Sequence, residues 1–153
     1  MPNSAFTILG FDFGLRRIGV AVGQTLIGTA SPLQTLHCVD GNPDWKMVSQ
    51  IITEWCPAAL VVGLPLTADG TETSLLSTIR TFIRHLEKRY QLPVYGIDEH
   101  LSSREAESRL VVPKNQSTRQ SSDKKTRSRY PKEAIDSMAA QVILQTWLAE
   151  QKF

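Results

Sequence analysis

The stretch that decides the fold is Phe6 to Gly23, which reads Phe-Thr-Ile-Leu-Gly-Phe-Asp-Phe-Gly-Leu-Arg-Arg-Ile-Gly-Val-Ala-Val-Gly. It contains two short apolar runs rich in β-branched residues, separated by a turn that holds Gly14. Runs of this kind predict a hairpin of two β-strands. Asp12 is unusual, because a carboxylate at the end of an apolar strand loses its hydration unless a cation or hydrogen-bond donors replace the water. Asp12 therefore either binds a cation or, alternatively, faces solvent or caps the turn.

The rest of the chain predicts further strands and then alternating strands and helices. A third short strand is expected at Thr29–Leu36, followed by a turn over Asp40–Asp44. The later elements are a helix capped by Asp44 and ended by Pro57, a buried strand from Ala58 to Leu64, a long helix from Thr71 or Thr73 to about Tyr90, a buried strand over Leu92–Ile97, a short helix capped by Ser102 or Ser103, and a last helix over about Lys132–Gln151. This order predicts an α/β protein with a mixed five-stranded sheet flanked by helices.

Length and composition predict a single domain over residues 1–153. The chain has 41% hydrophobic and 21% charged residues, as ordinary soluble globular proteins do. It has no apolar segment long enough for a bilayer and no signal-peptide pattern at its start, so a cytoplasmic protein without a membrane partner is expected. Cys38 and Cys56 lack metal-ligand spacing and are interpreted as reduced thiols. The sequence indicates no particular oligomeric state.

Basic residues are concentrated near the end of the chain. The segment 113–132 holds seven of the 17 basic residues and a single acid, which leaves 10 basic and 14 acidic residues elsewhere. This predicts a flexible basic loop at about 113–131 that attracts a polyanion such as nucleic acid. The alternative is a solvated loop whose charge only maintains solubility. The candidate phosphate contacts are Arg16 and Arg17 in the first turn, and Lys114, Arg119, Lys124, Lys125, Arg127, Arg129 and Lys132.

Three carboxylates occupy positions where solubility does not need them. Asp12 ends the first strand, Glu99 follows the predicted 92–97 strand, and Asp136 lies on the core-facing side of the last helix, among small alanines. Glu99 could instead be a strand-end charge, and Asp136 an acid that stabilises a helix N-terminus. Carboxylates brought together repel one another unless a cation neutralises them. Oxygen ligands favour Mg²⁺ or Mn²⁺, which can drive phosphodiester hydrolysis.

Four motifs, in order along the chain, resemble the signature of the YqgF/RuvX family. They are Phe11–Gly14 with Ile18–Gly23, Val62–Leu66 with Asp69–Thr71, Asp98–Ser103, and Ile135–Ala140. The resemblance covers roughly residues 6 to 150 and implies an RNase H-like fold. It also implies a bacterial cytoplasmic nuclease that processes the 5′ end of pre-16S rRNA and resembles Holliday-junction resolvases. Asp12, Glu99 and Asp136 would then be its catalytic, metal-binding triad.

The chain departs from the family pattern at two positions. His100 stands where the family usually has arginine, and Ala134 stands where a lysine is common, with Lys132 as the nearest lysine. Histidine contacts phosphate as a cation only when it is protonated. Both changes weaken contacts to substrate phosphate and leave the carboxylates unaltered. Two alternatives follow: a DNase that resolves branched DNA, and a nucleic-acid-binding module that uses the basic loop without cutting.

Overall fold

A mixed β-sheet with helices on both faces forms the part of the chain that the computed structural model describes, residues 6–65, 74–98 and 132–151. The short helix expected after Ser102 or Ser103 and the basic loop at 113–131 lie outside these residues. The elements are β1 (Thr7–Asp12), β2 (Arg17–Gln24), β3 (Thr29–Val39), β4 (Asn42–Pro43), α1 (Trp45–Trp55), β5 (Ala59–Leu64), α2 (Ser74–Tyr90), β6 (Val94–Asp98) and α3 (Lys132–Glu150).

The strands lie in the order β4-β3-β2-β1-β5-β6. The first four pair antiparallel, whereas β5 runs parallel to both β1 and β6. This confirms the predicted hairpin and mixed sheet, but the predicted count of five strands was wrong. Asp40 and Gly41 have φ angles of 52° and 80°, which suit a tight hairpin turn. Strand β3 therefore extends to Val39, and the chain turns back so that Asn42–Pro43 pairs with it as β4, the short strand that the sequence did not predict.

Alternation along the strands divides the core into one cluster on each face of the sheet. Leu9 and Phe11 of β1 belong to the cluster beneath α1 and α2, together with Val48, Ile79, Phe82 and Leu86 of those helices. Ile8 of β1 belongs to the cluster beneath α3, together with Ala140, Ile143, Leu144 and Leu148. The central strand β5 is buried along nearly its whole length, as its continuous apolar run predicted, because both of its faces are covered.

The first helix begins where the sequence predicted. The Asp44 side chain accepts a hydrogen bond from the backbone N–H of Lys46 at 3.1 Å, which satisfies a donor at the helix start. The helix ends at Trp55, and Cys56 closes it in the left-handed conformation with φ 45°. No helix in the described ranges has both the length and the apolar composition needed to cross a membrane.

Replacing Cys56 by glycine is expected to stabilise the protein by about 0.5–1 kcal/mol. Glycine adopts the left-handed conformation without the steric penalty that a Cβ atom carries. Cys56 is exposed, so little packing is lost in the exchange. Urea unfolding of the two proteins measures the difference, with Cys56→Ala as the control that keeps the Cβ atom. Equal stability of the glycine and alanine variants would contradict the prediction.

The strand β6 is more exposed than its apolar sequence predicted. The expectation of a buried strand over Leu92–Ile97 was wrong, because β6 lies at the edge of the described sheet and pairs with β5 alone. Tyr95 keeps 45% of its surface accessible, although its ring stacks on Trp147 of α3 at a centroid distance of 5.4 Å. The apolar pattern indicated a strand correctly but carried no information on its place in the sheet.

The helix α3 lies unusually close to the sheet, and glycines of the sheet allow this. Gly19, Ala21 and Gly23 alternate along one face of β2, and Gly10 of β1 pairs with Ala21 on that face. A Cβ atom built on Gly19 would lie 1.9 Å from the carbonyl oxygen of Asp136. The sequence predicted that α3 approaches the sheet closely, and the only basis for this prediction was the small alanines of the helix. The structure shows that it depends equally on a row of small residues beneath the helix.

Candidate active site

Asp12 and the beginning of α3 lie side by side at the end of the sheet where strand β1 finishes. Asp12 is the last residue of β1 and pairs directly with Gly19 of β2. Directly paired residues of antiparallel strands project their side chains from the same face. The half-buried Asp12 therefore projects on the face where the backbone of Asp136 and Ser137 rests on Gly19. This places the beginning of α3, which carries Asp136, beside the end of the strand that carries Asp12.

Arg17 forms an ion pair with Asp136. Its Nε atom donates to Oδ2 of Asp136 at 2.6 Å, and the two side chains are 32% and 23% exposed. A charge-assisted hydrogen bond of this kind fixes the orientation of both groups. The sequence suggested phosphate contact for Arg17, and the structure adds a contact that the sequence did not predict. The ion pair uses Oδ2, so Oδ1 of Asp136 stays outside this contact.

The carboxyl ends of the parallel strands β1, β5 and β6 lie at the same end of the sheet as Asp12. The register pairs Phe11 with Val62 and Leu64 with Asp98, so β1, β5 and β6 all end there. In sheets of parallel strands this end is where ligands are met. Glu99 follows Asp98 directly in the sequence, and it lies outside the described residues. Asp98 itself is exposed.

The remaining residues predicted to contact substrate phosphate lie in three places: the loop after β1, the start of α3, and the part of the chain that is not described. Arg16 is exposed in that loop, and its carbonyl oxygen accepts a hydrogen bond from the backbone of Cys38 at 2.8 Å. Lys132 is the first residue of α3. The predicted contacts outside the described residues are His100, Lys114, Arg119, Lys124, Lys125, Arg127 and Arg129.

The described acids match the donor chemistry of a hard divalent cation. Asp12 and Asp136 supply carboxylate oxygens, which Mg²⁺ and Mn²⁺ prefer over the sulfur and imidazole ligands typical of zinc. Within residues 6–65, 74–98 and 132–151 there is no group of three or more His, Cys, Asp and Glu side chains that could hold a metal ion. Two carboxylates with one paired arginine are therefore the described portion of the candidate centre.

Cys38 and Cys56 are free thiols, as predicted. Burial raises the pKa of the Cys38 thiol from 9.0 to about 11. A thiol with such a pKa stays protonated near neutral pH, whereas nucleophilic attack requires the thiolate. Cys38 is therefore not a candidate nucleophile.

Comparison with known proteins relates the chain to nucleases over nearly its full length. Residues 6–150 match the model of the RuvX family, described as Holliday junction resolvase. A Nitrosococcus oceani protein with the provisional name pre-16S rRNA nuclease is 46% identical over 151 residues, which is 99% of this chain and 91% of that protein. A Legionella pneumophila protein with the same provisional name is 43% identical over 152 residues, covering 99% of this chain and all of the relative.

Solved structures of resolvases share the fold at low sequence identity. The Thermus thermophilus RuvC structure in complex with a Holliday junction substrate superposes with a TM-score of 0.52 at 14% identity, covering 94% of this chain and 93% of that one. The fowlpox virus Holliday junction resolvase gives a TM-score of 0.53 at 17% identity, covering 94% and 97%. The expected RNase H-like fold is thereby confirmed.

Proposed function

This chain belongs to the RuvX family of nucleases, and we propose that it hydrolyses phosphodiester bonds of precursor 16S rRNA in the cytoplasm with the help of a divalent cation. The observation that carries the proposal is the placement of Asp136 on Gly19, directly beside Asp12. The hydrophobic pattern does not account for either acid, because Asp136 lies on the helix α3 where it packs on the sheet and Asp12 lies on the strand beneath it. Two carboxylates at the ligand-binding end of the sheet supply the ligands that such a reaction needs.

We assign the roles in this chemistry to residues of three segments. Asp12, Glu99 and Asp136 hold the cation, Mg²⁺ or Mn²⁺, through their carboxylate oxygens. A bound cation supplies activation of the attacking water and neutralises charge on the leaving oxygen. Arg17 keeps the Asp136 carboxylate in one orientation through the 2.6 Å contact. Arg16, His100 and the basic residues of 113–132 bind the substrate backbone.

RNA is favoured over DNA as the substrate because the relatives of high identity carry the pre-16S rRNA name. The family description and the resolvase structures favour branched DNA as the second candidate, since the same carboxylates would cut either polymer. A binding module without catalysis remains the third possibility, motivated by His100 and Ala134. One experiment separates the three.

We expect wild-type protein with Mg²⁺ or Mn²⁺ to cut a 5′-labelled 16S precursor fragment, and EDTA to abolish the cutting completely. EDTA removes the cation that the carboxylates would hold, and with it the group that would activate the attacking water. Denaturing gel electrophoresis of the time course measures the products. A labelled four-way DNA junction and a linear duplex of equal length serve as competitors, so that the preferred polymer and its shape are read from the same assay.

Each outcome decides between the candidates. Cutting of the RNA with weak competition by the junction supports the proposal, whereas preferential cutting of the junction replaces RNA by branched DNA. Tight, salt-sensitive binding of either probe that EDTA leaves unchanged, without any cutting at any metal concentration, would establish the binding module instead.

A further inference from the structure

A polar cavity lies on the sheet face opposite to α3, between the β3–β4 turn and α2. Its volume is about 380 Å³. Hydroxyl side chains of α2 line one wall together with Arg84 and His85, and Asp40 and Trp45 also line the cavity. Hydroxyl and guanidinium groups are typical contacts of nucleic-acid phosphates. The α2 hydroxyl residues are Ser77, Thr78 and Thr81.

The loop that follows Asp12 separates this cavity from the candidate active site. Gly41 lines the cavity, and its backbone N–H donates to the carbonyl oxygen of Leu15 at 3.0 Å. Leu15 and the exposed Arg16 belong to the loop that connects β1 to β2. The loop that begins after Asp12 therefore contacts the wall of the cavity.

A row of basic side chains continues from the cavity along α2. Arg80, Arg84 and Lys88 follow one another at intervals of four residues, all exposed, and Glu87 is the single acid of the helix. Like charges four residues apart destabilise a helix, and the helix dipole offsets this only in the last turn, which contains Lys88 and Arg89 but neither Arg80 nor Arg84. Among the described residues, neither Arg84 nor Lys88 has an ion-pair or hydrogen-bond partner. A bound anion would offset the repulsion between Arg84 and Lys88.

We propose that this cavity and the basic row of α2 bind the backbone of the substrate strand that flanks the cleaved bond, with Arg84 and Lys88 contacting successive phosphates. The inference rests on the proposed function and adds to it a second, more distant binding surface. A helix rises about 6 Å over four residues, so the row from residue 80 to residue 88 spans about 12 Å. Measured along the axis of a DNA duplex, each strand presents one phosphate about every 3.4 Å, so a row of this length spans about three of them.

The test is binding of a fluorescein-labelled 16S precursor fragment in EDTA, measured by fluorescence anisotropy over a series of salt concentrations. We expect the double variant Arg84→Gln with Lys88→Gln to bind about tenfold more weakly, with a salt slope smaller by about 1.5, because two phosphate contacts are lost. The charge-preserving double variant Arg84→Lys with Lys88→Arg should keep the wild-type affinity. Lys46→Gln on α1, an exposed charge outside the row, should also change little. The same series with a labelled four-way DNA junction shows whether either polymer uses the surface.

The results distinguish this inference from the proposed function. Weaker binding confined to the neutralised double variant supports the basic row as a phosphate-binding surface. If that variant binds and cuts like wild type, the inference is overturned while the nuclease assignment stands. If wild type cuts the fragment with Mg²⁺ or Mn²⁺ but binds neither probe in EDTA, the inference is overturned as well, and the nuclease assignment again stands. Circular dichroism verifies that each variant is folded.

Discussion

Asp136→Asn is expected to reduce cleavage of the 16S precursor fragment by about 10³-fold, since a lost metal ligand removes several kcal/mol of charge stabilisation in the transition state. Asparagine keeps the shape of the side chain and loses its negative charge. The fold should persist, because a partly exposed ion pair such as that with Arg17 contributes only about 1 kcal/mol. Initial rates at saturating Mg²⁺ or Mn²⁺ measure the effect, and Asp12→Asn should match it.

Glu150→Gln is the matched control for this variant. It removes the same charge from the same helix, at the exposed C-terminal end of α3. Its cleavage rate should stay within about twofold of wild type, because exposed charges at this distance are largely screened by salt. Cleavage by Asp136→Asn at more than a tenth of the wild-type rate would remove Asp136 from the proposed triad.

Gly19→Ala is expected to cost about 3 kcal/mol of folding stability, at the upper end of overpacking effects. The added Cβ atom would lie 1.9 Å from the carbonyl oxygen of Asp136 and 2.9 Å from the backbone nitrogen of Ser137. Both are backbone atoms, so α3 itself must move. Chemical denaturation of the variant and wild type measures the loss. Cleavage should also fall under conditions where the variant is folded, because Asp136 moves away from Asp12.

Gly23→Ala is the control that separates the close approach of the helix backbone at Gly19 from the general effect of replacing a glycine in β2. It lies four residues further along β2, on the same face, and its added Cβ atom would approach side-chain atoms of Leu148 and Leu144 at 2.9 and 3.1 Å and the carbonyl oxygen of Thr29 at 3.1 Å. The leucine side chains can shift, and the backbone contact is far longer than the 1.9 Å contact at Gly19, so the cost should be less than half that of Gly19→Ala. Similar losses for both variants would contradict the close approach of the helix backbone at Gly19.

Local features of the sequence predicted the secondary structure well. The apolar runs on either side of Gly14 formed the β1–β2 hairpin, Asp44 capped α1, and the last helix ended within one residue of its expected boundary. Each of these depends on contacts between residues close together in the chain. Asp12 and Asp136 were also identified by a local signal, since each is a charged residue on an otherwise apolar face.

Features that depend on distant parts of the chain were not predicted. Nothing in the apolar run of Val94–Ile97 distinguishes an edge strand from a central one. The contact of Arg17 with Asp136 joins residues 119 positions apart, so no local pattern encodes it. The alternation of Gly19, Ala21 and Gly23 is visible in the sequence, but its meaning depends on which helix lies above that face of the sheet.

The separation of Asp12 and Asp136 along the chain also determines when the protein becomes competent during its synthesis. A ribosome produces β1 and β2 early and α3 last, because synthesis proceeds from the N-terminus. Until α3 emerges, the glycine-lined face of the sheet is uncovered and Asp12 lacks the neighbouring carboxylate. On the proposed chemistry, the nascent chain therefore cannot hydrolyse RNA until α3 has been synthesised and has packed on the sheet.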